Sequence, residues 1–262
     1  VQVGSIHNFC PLPSGVQHAA PNFYQPSAPH EGERNLWINY TLKTLEFAQA
    51  VGASRVIMHS GSAVFFLGDP FKKAETIQDH WIEESKPLEA LREDPVFSKA
   101  IQSGLKKMRK KEDKTAPRLS QMYQPVVESA QEKGLKLCIE NREGLTELPT
   151  DARIPEFLEA LGGPETVTYW HDCGHAQIKQ VQGVQEHRAY LEANAERLSG
   201  FHLHDVSEQG RDHCPLGTGT IDWKEIRAFM KPEHLYVLEL SPRVSRQEVL
   251  DSKAFLEDLL NG

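Results

Sequence analysis

Five short apolar stretches of the chain each run into a histidine, aspartate or glutamate side chain. They read V-I-M-H-S, L-C-I-E-N, V-T-Y-W-H-D, F-H-L-H-D and V-L-E-L, and they deliver His59, Glu140, Asp172, the pair His202 and His204, and Glu239. Parallel α/β folds place their functional groups beyond the carboxyl ends of the strands. One such stretch means little, because a polar residue at a strand end is usually just solvated. Five of them predict that the strand ends converge on one site.

Six β-rich stretches alternate with helical periodicity, which is the pattern of an α/β fold with a parallel sheet. The predicted strands span residues 1–6, 55–58, 135–140, 167–172, 200–204 and 235–240. A closed (β/α) barrel needs eight strands. We therefore predict a single barrel domain over residues 1–262 that lacks the first two βα units in the chain as given. A fragment and an unusual open barrel would both produce this pattern.

The region from about residue 62 to 118 is too long for a simple connection and is predicted to be a helical insertion. Its helices are predicted at Ala74–Leu91 and Val96–Lys111, and another follows at Leu119–Lys133. The basic run Lys106–Lys114 is interpreted as a solvated helix face, with phosphate or nucleic-acid contact as the alternative. The proline-rich loop of residues 8–33 is predicted to be a functional lid.

The bulk composition is ordinary for a soluble globular protein, with 39% apolar residues, 25% charged residues and a net charge of −8. Nucleic-acid-binding domains usually carry a basic face, so this balance makes nucleic acid an improbable partner. No signal peptide and no apolar run of about 18 residues is visible, so we expect a cytoplasmic protein without a membrane span. Reduced thiols are expected because no paired spacing links Cys10, Cys138, Cys173 and Cys214.

The residue types at the strand ends suit a divalent metal ion. Glu140, Asp172, Glu239 and one histidine of the pair His202 and His204 would form a carboxylate-rich site with one imidazole. Such donors fit Mn²⁺, Zn²⁺, Co²⁺ or Mg²⁺. The two histidines share one face of their strand but lie at different depths. We favour His202 as the ligand and His204 as its neighbour or a substrate contact; a hydrogen-bonded core histidine is the alternative for either.

The order and spacing of these motifs resemble the xylose isomerase-like TIM-barrel superfamily, the sugar phosphate isomerase/epimerase group. The matching pieces are I-E-N at Glu140, H-D-C-G-H at Asp172 and His175, H-L-H-D at His202, H-C-P-L-G-T-G-T-I-D-W from His213 and L-E-L at Glu239. The resemblance implies a TIM-type (β/α) barrel. It also implies one divalent metal ion held by Glu140, Asp172, His202 and Glu239.

The resemblance further implies a reaction on a small sugar or polyol. The metal would act as a Lewis acid on a ketose, a sugar phosphate or an inositol-derived ketone, and Glu140 and Glu239 would move the proton through an enediolate. Members of this group often form homodimers. The side chains expected to contact substrate are His7, His59, His175, His204, Arg211 and His213.

The same resemblance extends to endonuclease IV-type AP endonucleases, which hold three zinc ions with additional histidines. The additional positions are matched in order by His7, His59, His175 and His213. Arg211 stands where the remaining aspartate ligand is expected, and Asp212 is one residue off. A metal-dependent phosphodiester hydrolase is therefore the main alternative, followed by a 2-keto-inositol-type dehydratase and a barrel without activity. A surface position is expected for His18, His30, His80, His187 and His234.

Overall fold

The computed structural model describes residues 1–17 and 22–262. These residues form two compact units. The first unit contains Val1–Phe66 and Met108–Trp170, and the second contains Leu67–Lys107 and His171–Gly262. His18 and part of the loop predicted to be a lid fall in residues 18–21, outside the described residues.

Strands and helices alternate along the described residues, and the α/β class predicted from the sequence is confirmed. The strands are β1 Ser5–His7, β2 Arg55–Met58, β3 Lys136–Glu140, β4 Val167–Asp172, β5 Leu198–Leu203 and β6 Leu235–Leu238. The helices are α1 Glu31–Val51, α2 Lys72–Glu83, α3 Pro95–Glu132, α4 Ile154–Leu161, α5 Cys173–Val181, α6 His187–Asn194, α7 Trp223–Arg227 and α8 Arg246–Asn261. Strand order in the sheet is the order along the chain, and every pair with a described register is parallel.

The first unit contains β1, β2 and β3 as parallel neighbours. The last three residues of β2 are buried, and the register places Ile57 opposite both His7 and Cys138. Burial of both faces is typical of a parallel sheet that is covered by helices. The register therefore brings the ends of these three strands, with His7, His59 and Glu140, to one edge of the sheet.

A buried aromatic cluster in the first unit supports the end of β2. The ring centroid of Trp37 lies 4.8 Å from that of Tyr123, and Tyr123 meets Phe157 edge-on at 5.5 Å. The Tyr123 hydroxyl and Ser60 Oγ are hydrogen-bonded at 2.7 Å. Burial of a side chain as large as phenylalanine contributes roughly 1.5–3 kcal/mol. The cluster therefore anchors the backbone next to His59.

The second unit is organised around β5, all of whose residues are buried. β5 pairs with β6 so that His202 lies opposite Val237, and the Phe201 ring stacks on Tyr236 with centroids 5.7 Å apart. Helix α5 packs against both β5 and α6. This packing fixes the carboxyl ends of β5 and β6, where His202 and Glu239 lie.

The predicted helices between residues 72 and 132 differ from the structure in two places. Helix α2 ends at Glu83, and a separate 3-10 helix, Leu88–Glu93, replaces the end of the predicted helix. Pro87 accounts for this break, because a proline disfavours the helical conformation of the residue before it. Farther on, the structure has one continuous helix, α3, where two helices were predicted.

Helix α3 is 38 residues long and continues through Pro117 and Pro125. It is continuous because a buried stripe at helical spacing crosses the predicted gap: Met108, Glu112, Thr115, Leu119 and Tyr123. The lysines of the basic run, such as Lys106 and Lys110, are exposed on the same helix, so the solvated-face interpretation is confirmed. Within residues 1–17 and 22–262, no helix combines the length and apolar character needed to cross a membrane.

Gly52 ends α1 as the sequence predicts, with φ 74° and an N–H directed at the carbonyls of Ala48 and Gln49. Gly52→Ala is expected to lower the free energy of unfolding by about 1–2 kcal/mol, because an L-residue is strained at positive φ. Gly32→Ala is the matched control: Gly32 lies inside α1, and a Cβ at either glycine would meet no atom within 4 Å. The control is expected to raise stability by up to about 1 kcal/mol. Urea unfolding followed by circular dichroism measures both, and equal effects would contradict the assignment.

Candidate active site

Asp172 ends β4 and is also the N-cap of α5. Its Oδ1 accepts a hydrogen bond from the backbone N–H of His175 at 2.7 Å, so the carboxylate faces the positive end of the helix. The prediction that Asp172 and His175 lie where a strand meets a loop is wrong, because the residues from Cys173 onward are helical. The turn-like letters C-G-H hid the helix, since glycine has a weak helix propensity. His175 therefore lies in the first turn of α5, with Nδ1 3.4 Å from Asp172 Oδ2.

Three side chains with metal-ligand chemistry meet in the second unit at His202. The Nδ1 atom of His202 lies 3.0 Å from Glu239 Oε2 and 3.8 Å from Asp172 Oδ2. The side chains of His202 and Asp172 are buried, whereas that of Glu239 is 36% exposed. One imidazole nitrogen and two carboxylate oxygens are thus close enough to share a cation, and one of the three groups is accessible from solvent.

His204 is fully buried and uses both of its ring nitrogens inside the protein. Its Nε2 lies 3.1 and 3.2 Å from the two oxygens of Asp172, and its Nδ1 accepts the backbone N–H of His213 at 2.8 Å. Burial lowers the pKa of His204, but the Asp172 carboxylate outweighs this effect and raises the pKa to about 9. The His213 amide acts in the opposite direction, because only an unprotonated Nδ1 can accept it. The contact therefore directs the Nε2–H of His204 towards Asp172.

Gly174 lets His204 reach this position. A Cβ atom at Gly174 would lie 2.0 Å from His204 Cε1, so no larger residue fits without moving the ring. The glycine of the H-D-C-G-H motif thus serves the packing of α5 against this histidine.

His213 connects the loop after β5 to the end of β6. Its Nδ1 lies 2.7 Å from the carbonyl oxygen of Glu239, to which it donates, and its ring stacks on His204 with centroids 4.2 Å apart. The residue has φ 51°, an uncommon conformation for a side chain other than glycine. The conformation turns the backbone N–H towards His204 while the imidazole holds the backbone of Glu239.

Asp205 organises the loop that carries His213, a role that the sequence analysis did not assign. Its Oδ1 accepts the N–H groups of Val206 and Ile221, and its Oδ2 accepts those of Gly217 and Trp223 Nε1, at 2.9–3.2 Å. The aspartate is fully buried. The conjunction of H-L-H-D with the later G-T-G-T-I-D-W motif was the available signal, because a buried carboxylate needs donors from a glycine-rich loop.

The first unit brings together another group of predicted site residues at the ends of β1, β2 and β3. His59 Nε2 lies 2.6 Å from Glu140 Oε2, and the His7 and His59 rings meet edge-on with centroids 5.5 Å apart. The Nη1 atom of Arg142 donates to the same Glu140 oxygen at 3.0 Å. His59 and Glu140 are buried, so the carboxylate is held by these two partners away from bulk solvent.

Arg142 and Glu147 were not predicted as site residues. Arg142 Nε donates to Glu147 Oε1 at 3.2 Å, and the backbone N–H of Gly144 donates to Glu147 Oε2 at 2.9 Å. Burial raises the pKa of Glu147, but Arg142 and the Gly144 N–H outweigh it and hold the pKa below its ordinary value. Glu147 therefore stays ionised and orients the guanidinium that contacts Glu140. The letters E-N-R-E place an arginine beside the predicted glutamate, and this was the signal.

His187 and His234 are buried, so their predicted surface position is wrong. His187 Nε2 lies 2.8 Å from His171 Nε2, and its Nδ1 lies 3.3 Å from Gln177 Oε1. Burial lowers the pKa of His187 to about 3 and that of His171 well below its ordinary value, so the pair is neutral. The pair supports α5 from behind. The prediction of free cysteines is confirmed for all four thiols.

Arg211 is exposed and lines a cavity of ≈ 620 Å³ in the second unit. His213 and Glu239 line the same cavity. The loop thus places a cation, an imidazole and a carboxylate around one opening.

The chain matches the model of the xylose isomerase-like TIM barrel family over residues 9–258. It belongs to this family. The resemblance and the TIM-type (β/α) barrel fold inferred from the sequence are therefore confirmed. A comparison with curated proteins found no match.

Solved structures similar to this family member include sugar epimerases. A D-tagatose 3-epimerase-like protein has a TM-score of 0.61 at 17% identity, covering 98% of this chain and 76% of its own. The D-psicose 3-epimerase of Clostridium cellulolyticum H10, solved with D-tagatose, has 0.60 at 11%, covering 92% and 76%. A Thermus thermophilus protein soaked with ZnCl2 has 0.56 at 20%, covering 90% and 73%. At these identities the similarity establishes the fold.

Asp205→Asn is expected to lower the free energy of unfolding by about 3 kcal/mol or more, because an amide NH2 would face N–H donors that the carboxylate now accepts. Asp222→Asn is the matched control. Asp222 caps α7 through Oδ1 alone, accepting the N–H groups of Lys224 and Glu225, and asparagine caps helices equally well. Chemical denaturation of both variants tests the assignment; equal losses would show that Asp205 has no special role.

Proposed function

We propose that this chain is a divalent-metal-dependent isomerase or epimerase acting on a ketose, a sugar phosphate or an inositol-derived ketone. The convergence of Asp172 and Glu239 on His202 Nδ1 carries the proposal. Membership of the xylose isomerase-like family and the names of the 3-epimerases among its fold neighbours support the same reaction class.

The donor set fits a divalent cation. Two carboxylates that approach one buried nitrogen are unfavourable away from water unless a positive charge compensates them. Mn²⁺, Zn²⁺, Co²⁺ or Mg²⁺ would be held by Asp172, His202 and Glu239, with Glu140 as the fourth ligand that the sequence predicts. The choice of His202 over His204 is supported by the partners of His204, since both of its nitrogens already hydrogen-bond within the protein.

The protein's own groups would move the proton. When bound, the ion would polarise the substrate carbonyl and stabilise negative charge on its oxygen. Glu239 is suited to the transfer because its side chain is partly exposed and lines a cavity. Its carboxylate would take the proton from the carbon beside the carbonyl, and the C–H electrons would pass into the carbonyl to give an enediolate. Glu140 would return a proton: to the opposite face in an epimerisation, or to the neighbouring carbon in an isomerisation.

The remaining predicted contacts divide by their exposure. His213, with a side chain about one-third exposed, is proposed to contact substrate together with His175, and His7 and His59 to do so beside Glu140. His204 is proposed as a positioning residue for Asp172, because it is fully buried.

Asp172→Asn and Glu239→Gln are expected to reduce metal binding, and Glu140→Gln and Glu239→Gln to lower kcat/KM by about 10²–10⁴-fold through loss of proton transfer. The measurements are metal content per chain by mass spectrometry and turnover of ketoses and inososes after loading with each metal. Asp258→Asn, on the exposed face of α8, is the control for removal of a negative charge. The wild type is expected to hold about one ion per chain.

The same experiment separates the alternatives. Cleavage of abasic DNA together with up to three bound zinc ions would replace the proposal with a phosphodiester hydrolase. Loss of water from an inosose would indicate the dehydratase. A protein that binds no metal even in excess Mn²⁺ would be a barrel without this chemistry.

His204→Phe is expected to weaken metal binding by about 10–100-fold, because it removes the Nε2–H that orients Asp172 while leaving a ring against Gly174. His204→Gln restores a side-chain donor and is expected to recover part of the affinity. Competition with a chelating dye measures the affinity, and the melting temperature reports whether the fold is intact. Unchanged affinity in a folded His204→Phe protein would refute the positioning role.

A further inference from the structure

The ≈ 620 Å³ cavity beside Glu239 lies between two loops of the second unit, residues 211–215 and 239–244. The backbone N–H of Ser241 donates to the His213 carbonyl at 2.9 Å and ties the loops together. The backbone N–H groups of Arg211 and Arg243 donate to the hydroxyls of Ser207 and Ser241. The backbone that carries both arginines is thus fixed by the fold.

Each carboxylate on the wall of this cavity already has a partner in the protein. Glu239 faces His202 at 3.0 Å, and Asp212 Oδ2 lies 3.5 Å from His213 Nε2. Glu248 accepts the backbone N–H of Ser245 at 2.6 Å in the capping box of α8. These acids are therefore engaged with neighbours other than the cavity's arginines.

The two guanidinium groups on the same wall differ from these acids. The side chains of Arg211 and Arg243 make no hydrogen bond or ion pair with any residue in the described ranges. The chain has 37 acidic and 29 basic residues, so an excess of base does not account for two uncompensated cations at one cavity. A guanidinium offers a planar fork of donors that matches a carboxylate or a phosphate.

We propose that Arg211 and Arg243 bind an anionic group of the substrate, a phosphate or a carboxylate attached to the ketose. This inference rests on the proposed function, because it names the substrate class of the site at Glu239. Glu239 lines the same cavity, so an anion held by the arginines places the attached carbon chain beside the carboxylate that moves the proton. Binding of a remote group in this way raises kcat/KM when it orients the reacting carbon.

The test compares three classes of substrate with the metal-loaded protein: neutral ketoses, ketose phosphates and ketoses bearing a carboxylate. One charged class is expected to have a kcat/KM about tenfold or more above that of the matching neutral ketose. Arg211→Ala and Arg243→Ala are each expected to remove most of this preference. Arg246→Ala, an exposed arginine outside the cavity wall, is the matched control and is expected to preserve it.

Calorimetric binding of inorganic phosphate and of acetate separates this inference from the proposed function. If no ketose is turned over but the wild type binds one of these anions and the two variants do not, the proposed function fails and the anion site stands. If neutral ketoses react as well as charged ones, or the variants keep the preference, the anion site is refuted and the proposed function stands. Absence of both turnover and anion binding refutes both.

Discussion

The buried carboxylate of Asp172 is the constraint on which the second unit depends. An isolated carboxylate away from water costs several kcal/mol, so its position is stable only where donors meet it. The first turn of α5 supplies the N–H of His175, and His204 on the loop after β5 supplies Nε2. The strand, the helix and the following loop therefore have to assemble around one charge. The interactions that stabilise this fold are the same ones that orient a proposed metal ligand.

Asp205 shows how a neighbouring carboxylate of the same type serves a different purpose. Two N–H donors meet each of its oxygens, so its capacity is taken up by the loop of residues 205–223. The Oδ2 atom of Asp172 instead faces His175 and His202, which are groups that can rearrange around a cation. The partners, rather than the residue type, distinguish the structural aspartate from the candidate ligand.

The strand ends could be predicted from the sequence because each combines an apolar run with a single reactive side chain. Such a signal is local, and it identified His59, Glu140 and Asp172 at the ends of β2, β3 and β4. Helix α5 could not be predicted, because its stability comes from the Asp172 cap and from packing rather than from helix propensity. The burial of His187 depends on a partner sixteen residues earlier, His171, and on neutral imidazoles that a sequence pattern does not reveal.

The link between His213 and His204 runs through a backbone amide, and this has a consequence for how such a site can diversify. The amide keeps its direction for any residue that tolerates φ 51°, whichever side chain it carries. Asparagine and glycine are the residues most at ease in that conformation. Relatives could therefore exchange the imidazole that faces the cavity, and with it the groups offered to a ligand, while the histidine behind Asp172 keeps the same proton on the same nitrogen.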